Sequence, residues 1–209
     1  TSAGHLAIGA VASGGATNKD TVTLTTTRND GTIYDSTTSN DATADVTGTT
    51  ITLNSQGNIG VTGTGKGLDV SGSLLDISTT DSASASGTSG SIFIQELSTA
   101  ATALTVDTED ETSAGSITIT SAGNLTLNAV AAGGASNGLG AVTIATTADG
   151  GTIADANATG NTTADITGST VTLDSQGDMG VTGSNKGLDI AATALDVTIQ
   201  AEILALMDR

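Results

Sequence analysis

The 209-residue chain has no proline, no cysteine and no tryptophan, and only one tyrosine, one phenylalanine and one histidine. Without cysteine there are no disulfides and no thiolate metal sites, a usage that fits many exported bacterial proteins. So few aromatic rings exclude the thick cores of an immunoglobulin-like sandwich or a doubly wound enzyme, which are filled with large side chains. Basic residues are scarce as well: five Lys and Arg stand against 22 Asp and Glu, a net charge of -17. That charge repels phosphate backbones and anionic headgroups, so neither nucleic acid nor direct membrane insertion is expected. No apolar run approaches the roughly 20 residues of a membrane span, and the first ten residues lack the basic start of a signal peptide. The chain therefore reads as a mature segment. Disordered acidic chains are commonly rich in proline, whereas this one has none and is 36% hydrophobic. An ordered, all-β chain is expected.

What is abundant is small. Gly, Ser and Thr make 90 of the 209 residues. Self-comparison shows a long repeat: TSAGHLAIGAVASGGATN at 1–18 returns as TSAGNLTLNAVAAGGASN at 120–137, an offset of 119 that becomes 120 after a one-residue insertion near Gly138. Over residues 1–77, 41 positions are identical. The chain divides into a first unit at 1–119, a second and partial unit at 120–200, and a tail at 201–209. The tail is built from helix formers and reads as a helical cap or a tether.

Within each unit, apolar residues come in pairs separated by one residue: Ile51 and Leu53, Ile59 and Val61, Leu68 and Val70, Leu75 and Ile77, Ile92 and Ile94, Leu104 and Val106, Ile117 and Ile119, Leu125 and Leu127. A period of two means strands with one inward face, here about three to five residues long. Ser55-Gln-Gly-Asn58, Ser121-Ala-Gly-Asn124 and Ser175-Gln-Gly-Asp178 stand between strands and supply residues that tolerate a left-handed corner. Short strands and tight corners without crossover helices predict a parallel β-helix, that is, a β-solenoid, in which each turn buries its pairs against the turns above and below. At roughly 18–25 residues per coil the chain makes about 8–11 coils, a rod on the order of 40–50 Å long. Segments 34–44 and 80–90 lack inward pairs and read as projecting loops.

The Gly-x-hydrophobic-Thr-hydrophobic strands and Ser-x-Gly-Asn corners of 115–127 and 49–61 resemble the repeat regions of large bacterial exoproteins of the filamentous haemagglutinin and autotransporter-adhesin kind. The resemblance implies a right-handed parallel β-helix and export to the cell surface. It also implies a role in adhesion or in holding an adhesive tip away from the cell. It carries over no ligand-binding residue.

Candidate chemistry is sparse. His5 is replaced by Asn124 in the second unit and reads as a corner residue, since a triad or histidine metal site needs partners that are missing. Lys66 and Lys186 recur in Lys-Gly-Leu-Asp beside Asp69 and Asp189; Asp76 and Asp196, and Asp45 and Asp165, recur too. Paired carboxylates serve glycoside hydrolysis. Duplication at repeat spacing favours solvated corner charges instead, and no catalytic residue or bound cofactor is assigned. The acidic run Asp107, Glu109, Asp110 and Glu111 is a candidate Ca²⁺ ligand set, although it lacks EF-hand spacing. Thr-x-Thr pairs at Thr21 and Thr23, Thr50 and Thr52, Thr118 and Thr120, and Thr170 and Thr172 suit either an ice-binding array or the outer face of a strand. Asn124, Asn157 and Asn161 begin glycosylation-like triplets that arise by chance in so Thr-rich a chain.

The expected function is that of a non-enzymatic stalk or adhesive rod in a secreted or surface-displayed bacterial adhesin. Its expected partners are neighbouring repeats, glycans and host or cell-surface molecules. The alternative is a subunit that joins identical copies end to end in an extracellular fibre, matrix or surface layer.

Overall fold

A computed structural model describes residues 1–14, 20–37, 42–61, 67–80, 90–108, 115–133, 139–156, 163–180 and 187–200. The strands are β1 (Leu6–Ile8), β2 (Val11–Ala12), β3 (Thr21–Thr25), β4 (Ile33–Asp35), β5 (Val46–Thr47), β6 (Thr50–Ser55), β7 (Leu68–Ser71) and β8 (Leu74–Thr79). They continue as β9 (Ile92–Glu96), β10 (Thr102–Thr108), β11 (Ile117–Ser121), β12 (Leu125–Ala132), β13 (Val142–Thr146), β14 (Ile153–Asp155), β15 (Ile166–Ser175) and β16 (Ile190–Ile199). Every pairing is parallel, and none of the described residues is helical. The fold is the expected all-β solenoid.

Each turn runs once along each of two sheet walls. On the first wall, Leu6, Ile33, Ile59, Ile92, Ile117, Val142, Val171 and Leu195 stack in a single row. On the second, Val22, Ile51, Leu75, Leu104 and Leu127 stack in the same way. Beside that row runs another, from Leu24 through Leu53, Ile77, Val106, Val130 and Ile166 to Ile190. Inward residues of both walls form one aliphatic core, with most of its side chains fully buried. A turn closed by small and β-branched residues needs no ring to fill it, which explains how the chain folds with two aromatics.

Several expectations are corrected. Successive members of the first-wall row are 24 to 33 residues apart, longer than the expected coil. Seven such turns separate Leu6 from Leu195, a rise of about 34 Å at ~4.8 Å per turn, so the rod is shorter than expected. Strands reach ten residues because β15 and β16 bend from the second wall to the first without interruption. Ile59 and Val61 are not an inward pair. Gly60 has φ +73°, which breaks the two-residue alternation and leaves Val61 45% exposed. The segment 34–44 is only partly loop, since Tyr34 and Asp35 belong to β4.

The corner glycines act differently from expectation. Gly57, Gly123 and Gly177 do not have positive φ; their role is close approach, as a Cβ at Gly177 would lie 2.5 Å from the Gly150 carbonyl oxygen. Left-handed backbone falls instead on neighbouring residues, among them Asp30 (φ 65°) and its repeat partner Gly150 (φ 71°). The tail 201–209 and most of segment 80–90 lie outside the described residues.

Candidate functional surface

Three inward positions per wall are available to each strand. The third, nearest the corner, is often polar. On the second wall Ser55, Thr79 and Thr108 stack in register, and Thr26 begins the series with its hydroxyl 3.3 Å from that of Ser55. On the first wall Val11, Val46 and Val70 give way to Glu96, Ser121 and Thr146. These side chains are buried, and their hydroxyls are spent on the fold. Thr26 and Ser55 both donate to the Gly31 carbonyl, at 3.0 and 2.7 Å. Thr146 and Ser175 donate to the Gly151 carbonyl at 3.0 and 2.8 Å. The Gln56 backbone N–H donates to the Thr26 hydroxyl and the Gln176 backbone N–H to the Thr146 hydroxyl, both at 3.0 Å. These three bonds recur in both corners.

Three of the recurring carboxylates are not solvated corner charges. Asp45, Asp69 and Asp165 are buried, Asp165 completely. For two of them the cause is a bond between turns: one oxygen of Asp45 accepts the Asp69 backbone N–H at 3.2 Å, and one oxygen of Asp165 accepts that of Asp189 at 2.8 Å. Asp45 and Asp165 thus each take up a backbone donor of the next turn, which requires them to lie against the chain. Asp189, Asp76 and Asp196 are exposed, as expected. Lys66 and Lys186 lie outside the described residues. Glu96, which sequence reasoning missed, is fully buried; its two oxygens accept the Gly72 N–H at 3.0 Å and the Ser98 N–H at 2.8 Å. Its polar role was hidden because it occupies a position that is valine in the preceding turns.

His5 is a corner residue: its Nδ1 lies 2.8 Å from the Thr32 hydroxyl and 3.2 Å from the Thr32 backbone nitrogen. Asn124 takes the same place in the second unit and accepts the Thr152 N–H at 2.9 Å, and Asn58 accepts the Ser91 N–H at 2.8 Å. The Asn124 side chain is therefore engaged in the corner. Asn157 and Asn161 lie outside the described residues.

Of the Ca²⁺ candidates, Asp107 is half-buried on β10, between Ser78 and Ala131 of the adjoining turns. Glu109, Asp110 and Glu111 lie outside the described residues, and no group of three potential metal ligands occurs among the described ones.

The outward faces carry the Thr-x-Thr pairs. Thr21 and Thr23 stand in register with Thr50 and Thr52, and the next turn offers Leu74 and Asp76. On the first wall Thr118, Thr143 and Thr172 are in register, followed by Asp196. These hydroxyl patches are two or three turns deep and each ends on a carboxylate. What the surface can do chemically is hydrogen-bond. No family model, curated protein or solved structure matches this chain.

Proposed function

We propose that the chain is a structural, non-enzymatic β-solenoid segment of a secreted or cell-surface bacterial adhesin, serving as a rigid stalk or adhesive rod. The observation that carries this reading is the row from Leu6 to Leu195, which runs through every turn without a break. Backbone hydrogen bonds in such a stack run along the rod axis, so bending it means opening them. A surplus of acidic groups keeps rods dispersed and soluble. The outward hydroxyls and carboxylates suit glycans and other polar cell-surface molecules.

Negative-stain electron microscopy of the purified chain over a concentration series, with and without Ca²⁺, together with binding of the labelled chain to glycan arrays and cells, tests the reading. Isolated short rods support it, and glycan or cell binding marks the rod itself as adhesive.

The second reading, a subunit that assembles end to end, is favoured by one observation. On β16 the side chains of Leu195, Val197 and Ile199 are 53%, 46% and 50% exposed although they continue the inward rows. Long filaments in the same images would replace the first reading with this one.

A further inference from the structure

β16 is the second unit's copy of β7 and β8. At an offset of 120, Leu68, Val70, Leu75 and Ile77 return as Leu188, Ile190, Leu195 and Val197. The two units stand on opposite walls: β7 and β8 lie on the first and second, and the matching parts of β16 on the second and first. The turn beneath is nevertheless the same in both. Val46 pairs with Val70 and Ile51 with Leu75; their repeat partners Ile166 and Val171 pair with Ile190 and Leu195 in identical register. Because the pleat alternates, an identical lower register gives β16 the same upper edge and inward side chains as β7 and β8.

What lies above differs. In the first unit Ile94 covers Leu68, Leu104 covers Leu75 and Val106 covers Ile77, so that Leu75, Ile77 and Thr79 are buried. The same cover bonds to the corner between β7 and β8. Leu97 N–H donates to the Val70 carbonyl at 2.8 Å, and Ala103 N–H to that of Ser73 at 2.9 Å. The Thr102 hydroxyl donates to the Gly72 carbonyl at 2.9 Å, and Gly72 N–H to the Glu96 carboxylate at 3.0 Å. Among the described residues, no strand pairs with the far side of β16, and Leu195, Val197 and Ile199 are half-exposed there. A second copy of the chain does not match this face. Its first turn, β1 to β3, has repeat partners at 125–131 and 141–145, and these rest on β10 and β11, further along the rod.

We infer that the open face of β16 is a docking site for one kind of segment, the counterpart of residues 92–108 supplied by a further repeat unit. Its second strand lays the counterparts of Leu104 and Val106 over Leu195 and Val197. Its corner brings a carboxylate and a threonine hydroxyl to the backbone of Ala192, as Glu96 and Thr102 come to Gly72. Recognition is strand addition to an open edge: main-chain bonds hold the segment and alternate side chains select it. This goes beyond the stalk reading and rests on repeat register and exposure, so either can fail without the other.

The test titrates the full chain into a fluorescein-labelled synthetic peptide of residues 90–108 and follows fluorescence anisotropy. Saturable one-to-one binding is expected. It weakens by about tenfold or more in a chain carrying Leu195→Asp and Val197→Asp, two exposed side chains whose change leaves the turns below in place. The same loss is expected for a peptide carrying Leu104→Asp and Val106→Asp, which decides the matter if the altered chain fails to fold. A scrambled peptide and a peptide of residues 1–25 are expected to bind about tenfold more weakly than the parent peptide. Absence of saturable binding, or equal binding by the altered peptide, overturns the inference. Tighter binding of the 1–25 peptide overturns it too and assigns the face to a second copy joined end to end.

Discussion

The hydroxyl of Ser175 donates to the carbonyl of Gly151 at 2.8 Å, reaching back 24 residues to the preceding turn. Ser55 makes the same bond to Gly31 at 2.7 Å on the opposite wall. Both hydroxyls are buried, and Thr146 and Thr26 still donate to the two carbonyls when they are removed, so each change loses one buried hydrogen bond without leaving its acceptor unsatisfied. Ser175→Ala and Ser55→Ala are each expected to cost about 1–2 kcal/mol, read as a lower denaturation midpoint in far-ultraviolet circular dichroism. Equal losses at the two sites would show that the two corners are energetically as well as geometrically equivalent.

Gly60 and Gly150 have nearly the same φ, +73° and +71°, in different surroundings. A Cβ at Gly60 would lie 2.1 Å from the Phe93 carbonyl oxygen, whereas one at Gly150 meets nothing within 4 Å. Gly150→Ala is expected to cost about 1–2 kcal/mol, the conformational penalty alone. Gly60→Ala is expected to cost about 3 kcal/mol or more, because backbone of the neighbouring turn must also move. Comparable thermal midpoints for the two variants would refute this ranking.

Asp30 holds φ 65° at the position where the second unit has Gly150. Its ion pair with Arg28, at 3.2 Å, is exposed on both sides and stabilises little. Asp30→Gly is therefore expected to be neutral or to stabilise by up to about 1 kcal/mol, since glycine enters the left-handed region without strain. A clear loss on urea unfolding would show that the carboxylate matters more than the backbone.

Glu96 takes two backbone N–H groups on one buried carboxylate. Glu96→Gln keeps one acceptor and turns an NH₂ toward the other donor, at an expected cost of about 1.5–3 kcal/mol. Glu96→Ala removes both acceptors and leaves a cavity, so it should cost more. If Glu96→Gln matched the parent midpoint, the second hydrogen bond would contribute nothing.

Ile117 sits in the middle of the first-wall row, fully buried between Ile92 and Val142. Ile117→Ala is expected to cost about 2–5 kcal/mol. Because each turn touches only its neighbours, the loss should be local, and hydrogen exchange should accelerate most in β9, β11 and β13. Uniform acceleration over all strands would mean that the rod unfolds as one unit.

Much of the fold was legible. Of the eight apolar pairs, only the one at Ile59 and Val61 misled, and it did so at Gly60, where a positive φ reverses the pleat. The corners were located correctly but for another reason, since Gly57, Gly123 and Gly177 admit a neighbouring backbone while Asp30 and Gly150 make the left-handed bends. Burial of Asp45, Asp69 and Asp165 was not legible, because the donors satisfied by Asp45 and Asp165 belong to the next turn, 24 residues away.

By itself, then, the sequence determined the local terms: strands from two-residue alternation, a ring-free core from small and β-branched residues, corners from glycine, and a repeat from near-identity. Those depend on neighbours along the chain. Tertiary structure alone decided the length of each turn, which side chains share a row, and which wall each unit occupies. These depend on pairings between residues 23 or more apart, whose offsets vary with the loops between them. A repeat of 119 or 120 residues contains no mark of whole or half turns until those pairings are made.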